Sequence, residues 1–203
     1  MVEYCYFTQR DGDGEIISSK ASQNIYRFNT FEDNTKAELV LRNGSENIDY
    51  GNFFNRGKGG VRVREGQDHY NYNNYFQGLN DRPIYLQNES SDPLDNINVA
   101  FNLMVDCEVV RFGGEAGSFR PTDVTFADNI LTNPRRQRCF QGSYGRRNLD
   151  RQHHVRRPGL HPARNGPAGQ RPPRLVTNEA DLFGLGPNSP AINAAQPGFV
   201  PLP

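Results

Sequence analysis

Asp13 and Glu15, Lys20 and Arg42 carry side chains that can do chemistry together. Two carboxylates at i and i+2 on a strand project from one face and offer the hard oxygen donors that a divalent cation takes. Lys20 follows five residues after Glu15, and its amine, once neutral, is a base. Arg42 stands 22 residues beyond Lys20 and brings a guanidinium able to hold an anion or stabilise a departing one. Arg62, Arg64 and Arg111 recur farther along. A row of arginines on one face suits a polyanionic chain, although surface pairing with acids explains such a row equally well. Residues this far apart act together only if the fold brings each stretch back beside the last.

A repeat in the chain does this. Its copies read Asn24-Ile-Tyr-Arg-Phe-Asn-Thr-Phe31, Asn47-Ile-Asp-Tyr-Gly-Asn-Phe-Phe54 and His69-Tyr-Asn-Tyr-Asn-Asn-Tyr-Phe76, with looser copies at 96–104 and 124–131. Val2-Glu-Tyr-Cys-Tyr-Phe7 resembles an earlier copy with Cys5 in the Asn place. Aligned on Asn29, Asn52, Asn74, Asn102 and Asn129, the spacings are 23, 22, 28 and 27. A further strand follows each early Asn, at Glu38-Leu-Val-Leu-Arg42, Val61-Arg-Val63 and Pro83-Ile-Tyr-Leu86, with Glu15-Ile-Ile-Ser18 before them and Val109-Val-Arg-Phe112 after. Two or three short strands per repeat, separated by polar turns, describe the coils of an all-β solenoid. Stacked coils place equivalent side chains in ladders about 4.8 Å apart. The expected ladders are Phe31, Phe54, Phe76 and Met104 pointing inward, and Asn29, Asn52 and Asn74 satisfying backbone groups at a turn. A β-sandwich, the competing architecture, has no reason to hold Asn at this period. His69 reads as structural. The chain begins inside a coil with no amphipathic capping helix, so N-terminal sequence is expected to be missing.

Taken together, several stretches resemble polysaccharide lyase family six, the alginate lyase and chondroitinase B family. They are Asp13-Gly-Glu-Ile-Ile-Ser-Ser-Lys20, Leu39-Val-Leu-Arg-Asn-Gly44, Gly51-Asn-Phe-Phe54, Gly59-Gly-Val-Arg-Val63, Asn73-Asn-Tyr-Phe-Gln-Gly78, Tyr85-Leu-Gln-Asn88, Val124-Thr-Phe-Ala-Asp-Asn129 and Ser189-Pro-Ala-Ile-Asn193. The resemblance covers roughly 1–133 and 175–195, and implies a single-stranded right-handed parallel β-helix that cleaves a uronic-acid polymer by β-elimination. It maps Asp13 and Glu15 onto acidic ligands of a calcium ion, Lys20 onto the general base and Arg42 onto the general acid. An Asn ligand of the same ion would lie on a coil before Met1. Arg62, Arg64, Asn43 and Tyr85 are the expected substrate contacts. The family commonly carries His after the matched Arg, where this chain has Asn43; an amide hydrogen-bonds but shuttles no proton.

The implied substrate is an anionic polysaccharide, first alginate (poly-β-D-mannuronate) and second a dermatan-type chondroitin. In such a polymer the C5 proton is only weakly acidic, because the adjoining carboxylate is already negative. Calcium on that carboxylate would neutralise it. Stabilising the departing O4 is physically easier for a guanidinium than donating a proton. The alternative reading is a non-catalytic carbohydrate-binding solenoid, or a decayed or truncated lyase. The family implies an extracellular or periplasmic location, whereas Met1-Val-Glu-Tyr-Cys-Tyr-Phe7 enters strand-like sequence with no signal peptide.

Composition divides the chain into 1–133, 134–174 and 175–203. Formal net charge is zero. Yet Pro134 to Arg174 holds eleven arginines, no lysine and one acid, Asp150, which leaves 12 basic and 22 acidic residues elsewhere. This Arg-, Pro- and Gly-rich tract breaks the repeat and reads as disordered or as the product of two compensating frameshifts, since GC-rich DNA in a wrong frame yields arginine without lysine. No recognisable module surrounds it, so no nucleic-acid partner is expected. No run of about eighteen apolar residues exists, so no membrane partner is expected either. Cys5, Cys107 and Cys139 form no CxxC pair and are expected to be small buried or semi-buried thiols.

Overall fold

In each complete repeat the residue just before the marker Asn has a left-handed backbone. The φ values are 53° at Phe28, 63° at Gly51, 52° at Asn73, 56° at Phe101 and 51° at Asp128. One such residue turns an extended chain sharply and cuts each expected strand in two. The copy at Asn24–Phe31 is thus Ile25–Arg27 followed, round a corner, by Thr30–Glu32. With the strand that follows, each coil has three. Backbone groups freed at the corner must find partners, and the Asn side chain supplies them. Asn52 Oδ1 accepts from the Asn29 backbone N–H (3.1 Å) and from Asn29 Nδ2 (3.0 Å), while Asn52 Nδ2 donates to the Tyr26 carbonyl (2.9 Å). Asn74 receives Asn52 in the same way, and Asn129 receives Asn102. The expected amide ladder is present and runs two rungs farther than its strict copies.

The computed structural model describes residues 1–88, 90–114, 119–133, 140–141, 174–189 and 192. Three parallel sheets of six strands run along it. The first contains Val2–Glu3, Ile25–Arg27, Ile48–Tyr50, Gly66–Tyr72, Leu94–Ala100 and Thr122–Ala127. The second contains Tyr6–Thr8, Thr30–Glu32, Phe53–Asn55, Tyr75–Gln77, Leu103–Val105 and Ile130–Thr132. The third contains Glu15–Ser19, Glu38–Leu41, Val61–Val63, Ile84–Leu86, Val110–Phe112 and Phe140–Gln141. Every neighbour in a sheet comes from the adjacent coil, which is a parallel β-solenoid and excludes a sandwich. No helix occurs among the described residues, and no helix there is long and apolar enough to cross a membrane.

The core is a set of ladders. Phe7, Phe31, Phe54 and Phe76 stack with ring centroids 4.9, 4.7 and 4.9 Å apart, and Met104 and Leu131 continue their line. From the third sheet, Leu39, Val61 and Ile84 form one inward line and Leu41, Val63 and Leu86 another. Each such side chain contributes about 1.5–3 kcal/mol on burial. Leu175–Thr177 and Phe183–Leu185 form an antiparallel hairpin that lies on the outer face of the second sheet: Phe183 N donates to the Tyr75 hydroxyl (2.8 Å), and Gln77 Nε2 donates to the Asp181 carbonyl (3.2 Å). Cys107 is buried as expected, but Cys5 is exposed, because its side chain occupies the rung beyond Asn29 where no further described coil covers it. Cys139 and nearly all of 134–174 lie outside the described residues.

Replacing Asn52 by Ala removes the partner of the Asn29 amide and of the Tyr26 carbonyl, both inside the stack. We expect a loss of about 2–4 kcal/mol in urea unfolding. Asn80→Ala, at an exposed position, should change stability by less than about 0.5 kcal/mol.

Candidate active site

Strands of the third sheet alternate inward and outward, which sorts the chemically interesting residues into two outward columns. Register places Ser18, Val40, Arg62, Tyr85 and Arg111 in one column. Two residues on, the exits from successive rungs bring Lys20, Arg42 and Arg64 into another: Arg42 N donates to the Ser19 carbonyl (2.7 Å), and Arg64 N donates to the Leu41 carbonyl (2.9 Å). Residues separated by 22 positions in sequence are thereby neighbours about 4.8 Å apart.

Glu15 joins the two columns. The pairing of Glu15–Ser19 with Glu38–Leu41 shifts register between Glu15 and Ile17, a bulge that re-aims the side chain at the start of the strand. Glu15 Oε1 then lies 3.1 Å from Arg42 Nη1 and 3.2 Å from Arg62 Nη2. Arg62 reaches a second carboxylate as well, Glu38 Oε2 at 3.3 Å. This contact lacks hydrogen-bond alignment, and Glu38 is only 1% exposed. Burial pushes the Glu38 carboxyl up from its ordinary value, while the nearby charges of Arg62, Lys58 and Arg82 pull it back. Its space exists because Gly59 has no side chain: a Cβ there would collide with Glu38 Oε1. Tyr85 is buried, with the guanidinium carbons of Arg82 and Arg111 at 4.2 and 5.1 Å from its ring centre. Its ring therefore acts as a seat for cations, and Arg82 is also held by Asp81 at 2.8 Å.

The other expected residues stand apart from this cluster. Asp13 is exposed, and its Oδ1 accepts from the Gly14 backbone N–H. Lys20 is exposed and makes no hydrogen bond or ion pair with a described residue. Asn43 is exposed at a corner with φ 64°, a conformation Asn tolerates better than most residues. His69 is buried, and its Nδ1 accepts from the Asn47 backbone N–H (3.2 Å), a structural role. Sequence reasoning missed Glu38 and Arg82. The available signal was the pair Gly59-Gly60 one coil after Glu38, a gap that a buried side chain fills.

Calcium needs six to eight oxygen ligands. Asp13 and Glu15 are donors of the right chemical type, but Glu15 is engaged by two guanidiniums, and the described residues contain no group of three His, Cys, Asp or Glu that could hold a metal ion. Asp13 and Glu15 alone supply fewer oxygens than a calcium ion takes.

The family model for chondroitinase B matches residues 1–113. The chain belongs to the chondroitinase B family. The match spans more than half of the sequence and includes every residue of the Glu15–Arg62–Tyr85 cluster and of the Lys20 column. No individual curated protein matches the chain. Membership in the chondroitinase B family places it among polysaccharide lyases, whose substrates are acidic polysaccharides, and the half-buried guanidinium-rich face is chemistry consistent with that class.

Arg62→Ala leaves buried Glu38 without its ion-pair partner and should cost on the order of 3 kcal/mol. Adding Glu38→Gln removes the stranded charge, so the double variant should unfold at higher urea concentration than Arg62→Ala alone.

Proposed function

We propose that this chain cleaves a 1,4-linked uronate polymer by β-elimination, with mannuronate-rich alginate as the favoured substrate and dermatan-type chondroitin as the second. The observation that carries this reading is the convergence of Arg42 and Arg62 on one carboxylate oxygen, on the face that also presents Lys20. Two guanidiniums that close on a carboxylate oxygen can neutralise the carboxylate of a uronate that takes the place of Glu15, and this lowers the cost of negative charge on the adjoining C5 carbon. Lys20, unpaired and exposed, is the base. Its neutral amine takes the C5 proton, the electrons form the C4–C5 double bond, and the bond from C4 to O4 breaks. Arg42 stabilises the charge that develops on O4. Arg64 and Arg111 extend the cationic face along neighbouring rungs for further sugar units. Asn43 and Tyr85 are proposed in supporting roles, Asn43 as a hydrogen-bonding neighbour and Tyr85 as the seat that aims Arg111.

Calcium is the proposed ion, with Asp13 and Glu15 as two of its ligands and the remaining ligands supplied from outside the described cluster. When bound, it would add positive charge at the substrate carboxylate. We place the enzyme outside the cell or in the periplasm, where such polymers occur. A non-catalytic binding solenoid is the second reading, favoured by Asn43 standing where the family has His.

Incubation with alginate or dermatan should produce growing ultraviolet absorbance from the unsaturated uronate, and a chelator should reduce it. Lys20→Ala should lower the rate about 10²–10⁴-fold with an unchanged circular dichroism spectrum. Binding without any absorbance growth on either polymer would favour the second reading.

A further inference from the structure

Asp49 lies inside the solenoid, away from the third-sheet face. It is the middle residue of Ile48–Tyr50, and its rung neighbours are Tyr26 in the coil before and Asn71 in the coil after. It is 0% exposed. Asn71 Nδ2 donates to its Oδ1, and so does Asn74 Nδ2 at 3.0 Å. Asp49 Oδ2 and Asn71 Oδ1, the remaining oxygens of the two stacked groups, are both buried without a hydrogen-bond donor. Tyr26 is the one titratable neighbour in this inward column. Tyr72 is on the outward column of the first sheet, one coil on, and the second and third sheets face the interior with the Phe, Leu, Val and Ile ladders. Among the described residues no cation pairs with the carboxyl.

An ionised Asp49 would leave two buried acceptors facing a cationless interior, a costly arrangement. A neutral Asp49 has an O–H on Oδ2 that can donate to Asn71 Oδ1 while Asn71 Nδ2 donates back to Oδ1, closing a reciprocal pair. We propose that Asp49 is a proton-binding site of the folded chain, held as a neutral carboxylic acid against Asn71, and that its ionisation loosens the coil stack at alkaline pH. The diversion of the amide ladder supports this. Asn29, Asn52 and Asn102 each pass an Nδ2 hydrogen bond to the next asparagine, whereas Asn74 turns its Nδ2 to Asp49. Burial also pushes the Asp49 carboxyl up to about 8. In the unfolded chain the same group titrates near 4. Between these values the folded state holds a proton that the unfolded state has lost, so stability falls as pH rises through the window and levels off above it.

Thermal unfolding of the full chain and of Asp49→Asn from pH 4.5 to 9.5 tests the proposal. Asn keeps both acceptor contacts and carries no charge, while His69 and Cys107 titrate alike in both proteins. The difference in Tm, variant minus wild type, should climb by several degrees between about pH 4.5 and 8 and then plateau; a difference that stays constant with pH overturns the proposal. Carbon-13 NMR of Asp-labelled wild-type chain gives a second readout that does not need the variant to fold. One Asp carboxyl should remain protonated at pH 6, and ionisation of every Asp by that pH overturns it.

Discussion

The hydrogen bonds of the asparagine that follows each left-handed corner are the contacts on which the remaining structure depends. Parallel strands from adjacent coils need identical corners, because one displaced corner would turn every later side chain to the wrong face. A left-handed residue makes the corner and costs about 1–2 kcal/mol at a non-glycine position. The amide side chain offsets this by accepting a backbone N–H and donating to a backbone carbonyl at the corner of the preceding coil. Phe28 is held in a conformation uncommon for an aromatic residue, and Asn52 satisfies the backbone around it by accepting from the Asn29 N–H and donating to the Tyr26 carbonyl. Register fixed at this corner propagates to the phenylalanine stack in the second sheet and to the basic columns in the third.

The coil period, the amide ladder and the inward phenylalanines were legible in the sequence because each depends on one residue type returning at a nearly constant interval. The split of each long strand into two was not, since left-handed backbone falls at Phe, Gly, Asn and Asp alike and leaves no single-letter mark. At the site, Lys20 and Arg42 could be placed on one face from spacing alone. Glu38 could not, because its role depends on the absence of a side chain at Gly59 rather than on a neighbour of its own. Nothing in the strand of Tyr85 showed that Arg82 and Arg111 would cover its ring. Cys5 was misjudged because a thiol in the Asn place suggested an interior position.

Two buried carboxylates illustrate how burial is matched to partners. Glu38 is surrounded by cationic side chains, which pull its proton affinity back towards the ordinary range. Asp49 has amides alone, and amides lower the cost of a buried anion far less than a cation does. The same side-chain chemistry thus serves an ion-pair role on the outer face of the third sheet and a neutral hydrogen-bonding role in the first.

The column of Lys20, Arg42 and Arg64 has an electrostatic consequence set by the rung spacing. Like charges repeating about every 4.8 Å are closer than the screening length of physiological salt, about 8 Å, so their repulsion is not hidden by the solvent. Backbone ladders forbid the strands from moving apart to relieve it. Glu15 relieves part of it at one point, between Arg42 and Arg62. Cations held at a regular rung spacing attract an anion whose own charges repeat along a line more strongly than one that carries them at a single point.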